Sequence, residues 1–136
     1  MDLNERTEEI IGAAIEVHRA VGPGLLESAY EECLCRELTL RRIPYQRQYP
    51  LPLMYKGVKL DCGYRVDLIV DASIAVELKA VERLEAIHGA QMLTYLKLGG
   101  WSLGLIINFN VPVLKTGIKR VVNQFVDSSA SSASPR

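Results

Sequence analysis

The chain has 136 residues, of which 49% are hydrophobic and 24% charged, the composition of one soluble globular domain. Its 16 basic residues balance 16 acidic ones, which argues against a dedicated, strongly basic nucleic-acid-binding module. We expect no membrane-spanning segment, because no apolar run is long enough, and no secretory signal, because the first residues are acidic and polar. Three cysteines without C-x-x-C spacing predict neither a disulfide framework nor a zinc site, and indicate a reducing cytoplasm.

Two helices are predicted in the first third of the chain. Apolar residues at helical spacing predict the first over residues 4–21, and a Gly-Pro-Gly sequence at 22–24 ends it. The same spacing predicts a second helix over residues 25–40, with Pro44 preventing its continuation.

Strands are expected from residue 45 to residue 80. Residues 49–54 are predicted to form an edge strand, because Pro50 and Pro52 have no backbone N–H for a ladder. Residues 58–70 are predicted to form a long strand with a bulge at Gly63.

The remaining elements complete a mixed α/β pattern. A third helix is predicted over residues 84–98, a central apolar strand over 101–109 and a short strand or helix over 117–125. We predict one α/β domain over residues 1–126, with helices flanking a mixed central sheet, and a disordered serine-rich tail over 127–136.

Two of the predicted strands carry charged residues where apolar side chains are expected. Asp67 lies in the apolar string YRVDLIV, and Glu77 and Lys79 lie in IAVELKA. Because side chains alternate between the faces of a strand, Glu77 and Lys79 share a face and Leu78 points away. The link at residues 71–73 is short and turn-like, so a hairpin is expected to bring Asp67 near Glu77 and Lys79.

This group of two carboxylates and one amine has two explanations. Two carboxylates about 4 Å apart repel by roughly 4 kcal/mol at an effective dielectric constant near 20, and a divalent cation between them converts the repulsion into binding. Oxygen ligands favour Mg²⁺ or Mn²⁺, which acidify a bound water and neutralise phosphate charge. The alternative is a structural salt bridge between neighbouring strands, and the residues alone leave both explanations open.

Three motifs carry a resemblance to a known family. Residues 24–30, GLLESAY, match the signature that names the GxxExxY proteins. Asp67 with Glu77-x-Lys79 matches the core motif of the PD-(D/E)XK nucleases, and residues 91–95, QMLTY, look like the Q-x-x-x-Y motif of the RecB-like branch. In this order, the motifs resemble the GxxExxY family of the PD-(D/E)XK nuclease superfamily.

The resemblance covers about residues 4–125 and implies a fold, a cofactor and a set of site residues. The implied fold is a restriction-endonuclease-like core, and the implied chemistry is Mg²⁺-dependent (or Mn²⁺-dependent) hydrolysis of phosphodiester bonds. Asp67 and Glu77 are expected to hold the metal, and Glu27 on the first core helix is expected to complete the metal site. Lys79 is expected to position or activate the attacking water.

Four further residues are candidates, each with a structural alternative. Gln91 and Tyr95 are expected to contact the substrate strand, or else to hold helix to sheet as a buried polar pair. Tyr30 is a substrate-binding candidate whose ring also continues an apolar stripe. His18 matches an upstream histidine that reaches the metal in RecB-like nucleases, although a lone histidine on an apolar helix face is more often a satisfied core residue. Glu27 also suits the positive end of a helix dipole.

We therefore expect a metal-dependent nuclease that acts on nucleic acid, with DNA the expected substrate, in repair, recombination or defence. The alternative is a non-catalytic nucleic-acid-binding or protein-interaction module that retains the nuclease fold, which the neutral net charge favours. A third alternative is a subunit that works only as a homodimer or with a partner, because one small domain offers little surface for duplex DNA.

Overall fold

The structure, a computed structural model, describes residues 2–124. The tail predicted at 127–136 lies outside the described residues, so it and the domain boundary at 126 remain predictions. Within the described part the elements follow in this order: α1 (Leu3–Val21), α2 (Glu27–Leu40), β1 (Tyr45–Tyr55), β2 (Val58–Val70), β3 (Ile74–Lys79), α3 (Ala86–Gly99), β4 (Leu103–Asn108), a short 3₁₀ turn (Leu114–Gly117) and β5 (Ile118–Val122).

The strands form one five-stranded mixed sheet in the order β1-β2-β3-β4-β5. The pairs β1/β2, β2/β3 and β4/β5 are antiparallel, whereas β3 and β4 are parallel, with α3 as the crossover between them. The predicted mixed sheet flanked by helices is therefore confirmed. The element predicted at 117–125 is a strand, and the strand predicted at 101–109 is paired on both sides, next to the central β3.

Two apolar layers enclose the sheet. On one face α1 and α2 pack over β2, β3 and β4, with Leu34, Leu38, Leu68 and Leu78 in the buried cluster. On the other face α3 packs through Met92, Tyr95 and Leu96 in a smaller cluster. Leu78 thus points away from the face of Glu77, as the alternation of the strand predicts.

Local sequence explains the two hairpins that shape the site. Asp71 and Ala72 both have left-handed φ angles of 56°, and the Ser73 N–H donates to the Val70 carbonyl, which makes a tight turn between β2 and β3. The β1/β2 register shifts between Leu51 and Leu53, and Gly63 has a φ of 80° opposite that shift. The predicted hairpin and the predicted bulge are both confirmed.

None of the helices in residues 2–124 combines the length and the apolar content that crossing a bilayer requires.

Candidate active site

The candidate active site lies where β2 and β3 separate. Their ladder runs from Val70↔Ile74 to Leu68↔Val76, and beyond it side chains replace the backbone partners. The Asp67 backbone N–H donates to Glu77 Oε2, and the Leu78 N–H donates to Asp67 Oδ2, both at 2.8 Å. Each strand thus binds the carboxylate of the other, and we call this arrangement the fork.

The two carboxylates of the fork are held in an environment that opposes their ionisation. Glu77 is only 8% exposed, and its burial, with the charge of Asp67, raises its pKa to about 8. Burial also raises the pKa of Asp67, to which the charge of Glu31 contributes. Desolvated carboxylates that repel each other favour either a proton or a cation between them.

Lys79 and Glu27 lie at the same place. The charge of Lys79 lowers the pKa of both Asp67 and Glu77, which opposes the effect of burial without cancelling it. Glu27, the first residue of α2, is exposed and accepts a hydrogen bond from the Ala80 N–H at 3.3 Å. The structure therefore brings together all four residues that were predicted to be catalytic.

A second layer around the fork was not predicted from the sequence. Glu31, one turn after Glu27 on α2, is 8% exposed and accepts hydrogen bonds from Arg47 Nε and Gln48 Nε2, each at 3.0 Å. Gln48 Nε2 also lies 3.4 Å from Asp67 Oδ1, so its amide bridges two carboxylates. Gln48 binds Oδ1 of Asp67 and the Leu78 N–H binds Oδ2, so both oxygens of this carboxylate are held in place.

The backbone of Gln48 supports a functional role for the bridge. Its φ of 51° is left-handed, a conformation that costs a non-glycine residue on the order of 1 kcal/mol. The only sequence signal for this layer was the i,i+4 spacing of Glu27 and Glu31, which places both carboxylates on one face of α2.

The family model of the PD-(D/E)XK nuclease superfamily matches residues 4–121. The chain belongs to this superfamily. Its members are generally nucleases and typically depend on a divalent metal. No curated protein and no solved structure is significantly similar to the chain.

In this PD-(D/E)XK protein the fork fits a divalent ion in part. Mg²⁺ is usually bound by one or two carboxylates, with water and substrate phosphate oxygens as its other ligands, and Asp67 and Glu77 offer that donor set. Among residues 2–124, no group of three or more His, Cys, Asp and Glu side chains has a metal-binding arrangement. The fit is therefore to an ion that keeps water and substrate ligands, rather than to one enclosed by the protein.

Of the two site residues predicted on α3, Tyr95 is buried beside the fork, whereas Gln91 is exposed to solvent. Tyr95 is 7% exposed, and burial raises the pKa of its hydroxyl, with smaller contributions from the charges of Glu77 and Asp67. Gln91 is exposed, so the alternative in which it forms a buried polar pair with Tyr95 is wrong, and its expected contact with the substrate strand stays a prediction. His88 caps the start of α3, where its Nδ1 accepts from the Glu85 N–H.

Tyr30 and His18 lie in the core under the sheet. Tyr30 is fully buried, its ring stacks on Phe109, and its hydroxyl donates to the Gly22 carbonyl and accepts from the Leu25 N–H. A side chain in this position has no surface for a substrate. His18 Nε2 lies 2.8 Å from the Val111 carbonyl and must donate to it, so this nitrogen has no lone pair for a metal. These placements match the structural alternatives for both residues.

Tyr30→Phe tests the structural role of the tyrosine hydroxyl. The variant leaves a carbonyl and an N–H of the α1–α2 connection without partners, so we expect the free energy of unfolding to fall by about 1–3 kcal/mol. Urea unfolding measures this loss, and Tyr55→Phe, at a ring that is 58% exposed at the end of β1, is the matched control. An unchanged stability with a raised KM for substrate would return Tyr30 to the substrate-binding set.

Proposed function

We propose that this protein is a Mg²⁺-dependent nuclease that hydrolyses phosphodiester bonds in DNA, and that it belongs to the GxxExxY family within its superfamily. The observation that carries the proposal is the fork, where Asp67 and Glu77 are fixed by each other's strands beside Lys79. A structural salt bridge explains this arrangement less well, because neither carboxylate accepts a hydrogen bond from Lys79 and both have raised pKa values.

In the proposed reaction Asp67 and Glu77 would hold the ion, and Glu27, which accepts a hydrogen bond from the Ala80 N–H just after β3, would complete the acidic set. When bound, the ion supplies positive charge that neutralises the phosphate and lowers the pKa of an attacking water. Gln48 keeps Asp67 in place during the reaction, because the hydrogen bond from its side-chain amide to Oδ1 leaves the carboxylate few alternative orientations.

Lys79 supplies the second charge that the reaction needs. Its ammonium lies on the same strand face as Glu77, two residues on, where it can orient the water and stabilise the negative charge that develops on the phosphate. Tyr95, beside the same carboxylates, supports the substrate strand in this proposal, and Gln91 on the exposed side of α3 contacts it further from the fork.

Cleavage of labelled DNA in the presence of Mg²⁺ or Mn²⁺ tests the proposal. We expect cutting that disappears with EDTA and in Asp67→Asn, while Glu8→Gln, a change at an exposed carboxylate on α1, leaves the rate unchanged. Equal cutting by the parent and by Asp67→Asn would mean that the activity comes from a contaminant or from another site, and the assignment would fail.

The second candidate function is a non-catalytic module that binds nucleic acid or protein. One observation favours a protein-binding form of this module: the net charge of zero gives the chain as a whole no net electrostatic attraction to DNA. DNA binding that is unaffected by divalent ions, with no cleavage of single-stranded or duplex DNA or RNA, would select this candidate.

A further inference from the structure

The outer part of the β1/β2 hairpin carries a set of exposed apolar and aromatic side chains. We call residues 53–65 the outer ribbon; its strands pair with each other, whereas β2 meets β3 only through residues 68–70. Five of its large apolar residues are 38–59% exposed: Met54, Tyr55, Val58, Leu60 and Tyr64. The strand register places Tyr55, Val58, Leu60 and Tyr64 on one face of the ribbon and Met54 on the other, and an exposed apolar face of this kind marks a binding site more often than an ordinary solvent-facing strand.

The outer ribbon also carries a local excess of positive charge in a neutral chain. It contains three basic residues, Lys56, Lys59 and Arg65, and one acidic residue, Asp61. The rest of the chain therefore has 13 basic and 15 acidic residues, so the net charge of zero conceals a basic ribbon and a more acidic body. The ribbon's charge attracts a polyanion locally despite the neutral total.

An aromatic path connects this ribbon to the fork. Tyr64 is 43% exposed, and its ring centroid lies 6.2 Å from that of Tyr95 at an interplanar angle of 57°. Tyr95 in turn lies close enough to Glu77 and Asp67 for their charges to affect its hydroxyl. At the tip, Lys56 Nζ lies 5.4 Å from the centre of the Tyr55 ring.

We propose that the outer ribbon binds single-stranded nucleic acid and leads it to the fork, with Tyr64 stacking on a base next to the phosphate held there. The inference rests on the proposed function of the fork and names its substrate class. Exposed aromatic rings stack on unpaired bases, while nearby lysine and arginine side chains contact phosphates. In a duplex the base faces are already stacked on each other, so they are not available for stacking on Tyr64 or Tyr55.

A second copy of the chain fits this surface less well. In a two-fold dimer the same patch lies on both sides of the interface, so the excess positive charge of Lys56, Lys59 and Arg65 would be present twice in one interface. Such like charges oppose association, whereas a phosphate backbone is attracted by all three.

Fluorescence anisotropy with a labelled oligothymidine single strand and a hairpin duplex of equal length tests the proposal, in EDTA so that nothing is cut. We expect the full-length parent to prefer the single strand, and Tyr64→Ala to bind it about 5- to 150-fold more weakly, the range for loss of one stacked base. Tyr64→Phe keeps the ring and should bind like the parent. Thermal unfolding checks that both variants are folded.

The salt dependence of binding tests the charges separately. Lys56→Gln/Lys59→Gln should reduce the slope of log K against log salt by about 1.4, since each single-strand phosphate contact contributes about 0.7. Lys115→Gln, an exposed lysine on the 3₁₀ turn, is the control and should leave the slope unchanged.

Three results would overturn the inference: equal single-strand affinity of Tyr64→Ala and the parent, tighter binding of the duplex, or a parent dimer by light scattering that Tyr64→Ala converts to monomer. The last result would assign the ribbon to a second copy. If single-strand binding depends on Tyr64 but the protein cuts nothing with any divalent ion, the binding role of the outer ribbon would be supported. Only the proposed nuclease function would then be refuted.

Discussion

Glu77→Gln is expected to lower the cleavage rate by about 10³-fold, the scale of removing one buried group that stabilises transition-state charge, and at the same time to stabilise the metal-free protein above pH 8. The two effects have one origin. Glu77 is held in a buried position beside Asp67, where its charge is useful with a bound cation and unfavourable without one. The glutamine can still accept the Asp67 N–H bond but carries no charge.

The raised pKa of Glu77 determines the direction in which the stability of the metal-free protein changes with pH. The pKa of Glu77 rises from 4.5 to about 8 in the folded protein, so the folded state holds a proton that the unfolded state has lost between these values. The free energy of unfolding of the metal-free parent should therefore fall as the pH rises from about 4.5 to about 8. The variant lacks this component, and above pH 8 it should be more stable on the order of 2–4 kcal/mol.

Urea unfolding in EDTA at several pH values, for parent and variant side by side, measures this difference. Other groups titrate in both proteins, so the informative quantity is the difference between the two curves. Saturating Mn²⁺ at pH 8 should restore stability to the parent, by about 2.7 kcal/mol at 100 times the dissociation constant, and not to Glu77→Gln. A difference curve that is flat from pH 5 to pH 9 would contradict this account of the fork.

The parts of the molecule that the sequence predicts are those that local pattern determines. The strings around Asp67 and Glu77 specify two strands and their faces, and residues 71–73 specify the turn that joins them. Once that hairpin exists, the register brings the two carboxylates together with no further information. The bulge at Gly63 and the edge position of β1 follow in the same way from glycine and proline chemistry.

The parts that the sequence does not predict depend on contacts between distant segments. The bridge from Glu31 through Gln48 to Asp67 joins α2, β1 and β2, and neither spacing nor composition reveals which side chains meet. Gln91 illustrates a second difficulty, because a small rotation of α3 about its axis decides whether this position faces the sheet or solvent. Burial at the margin of a helix stripe is set by packing, which periodicity describes only approximately.

Lys79→Met is expected to separate cleavage from metal binding. The methionine keeps the length of the side chain but removes the charge that orients the water and stabilises the phosphate, so we expect the rate to fall by about 10²- to 10³-fold. Lys79 also repels a cation between Asp67 and Glu77, since its charge lowers the pKa of both carboxylates.

At pH 9, above the pKa of about 8 that Glu77 has in the parent, Mn²⁺ should therefore bind Lys79→Met as tightly as the parent or more tightly. Isothermal titration measures this affinity, and Lys115→Met, at an exposed lysine on the 3₁₀ turn, controls for the loss of one positive charge from the chain. Loss of both cleavage and Mn²⁺ binding in Lys79→Met, with the fold intact, would make Lys79 a residue that holds the fork together rather than one that acts on the phosphate. Lys79→Arg should recover part of the rate, because it restores the charge with a different donor geometry.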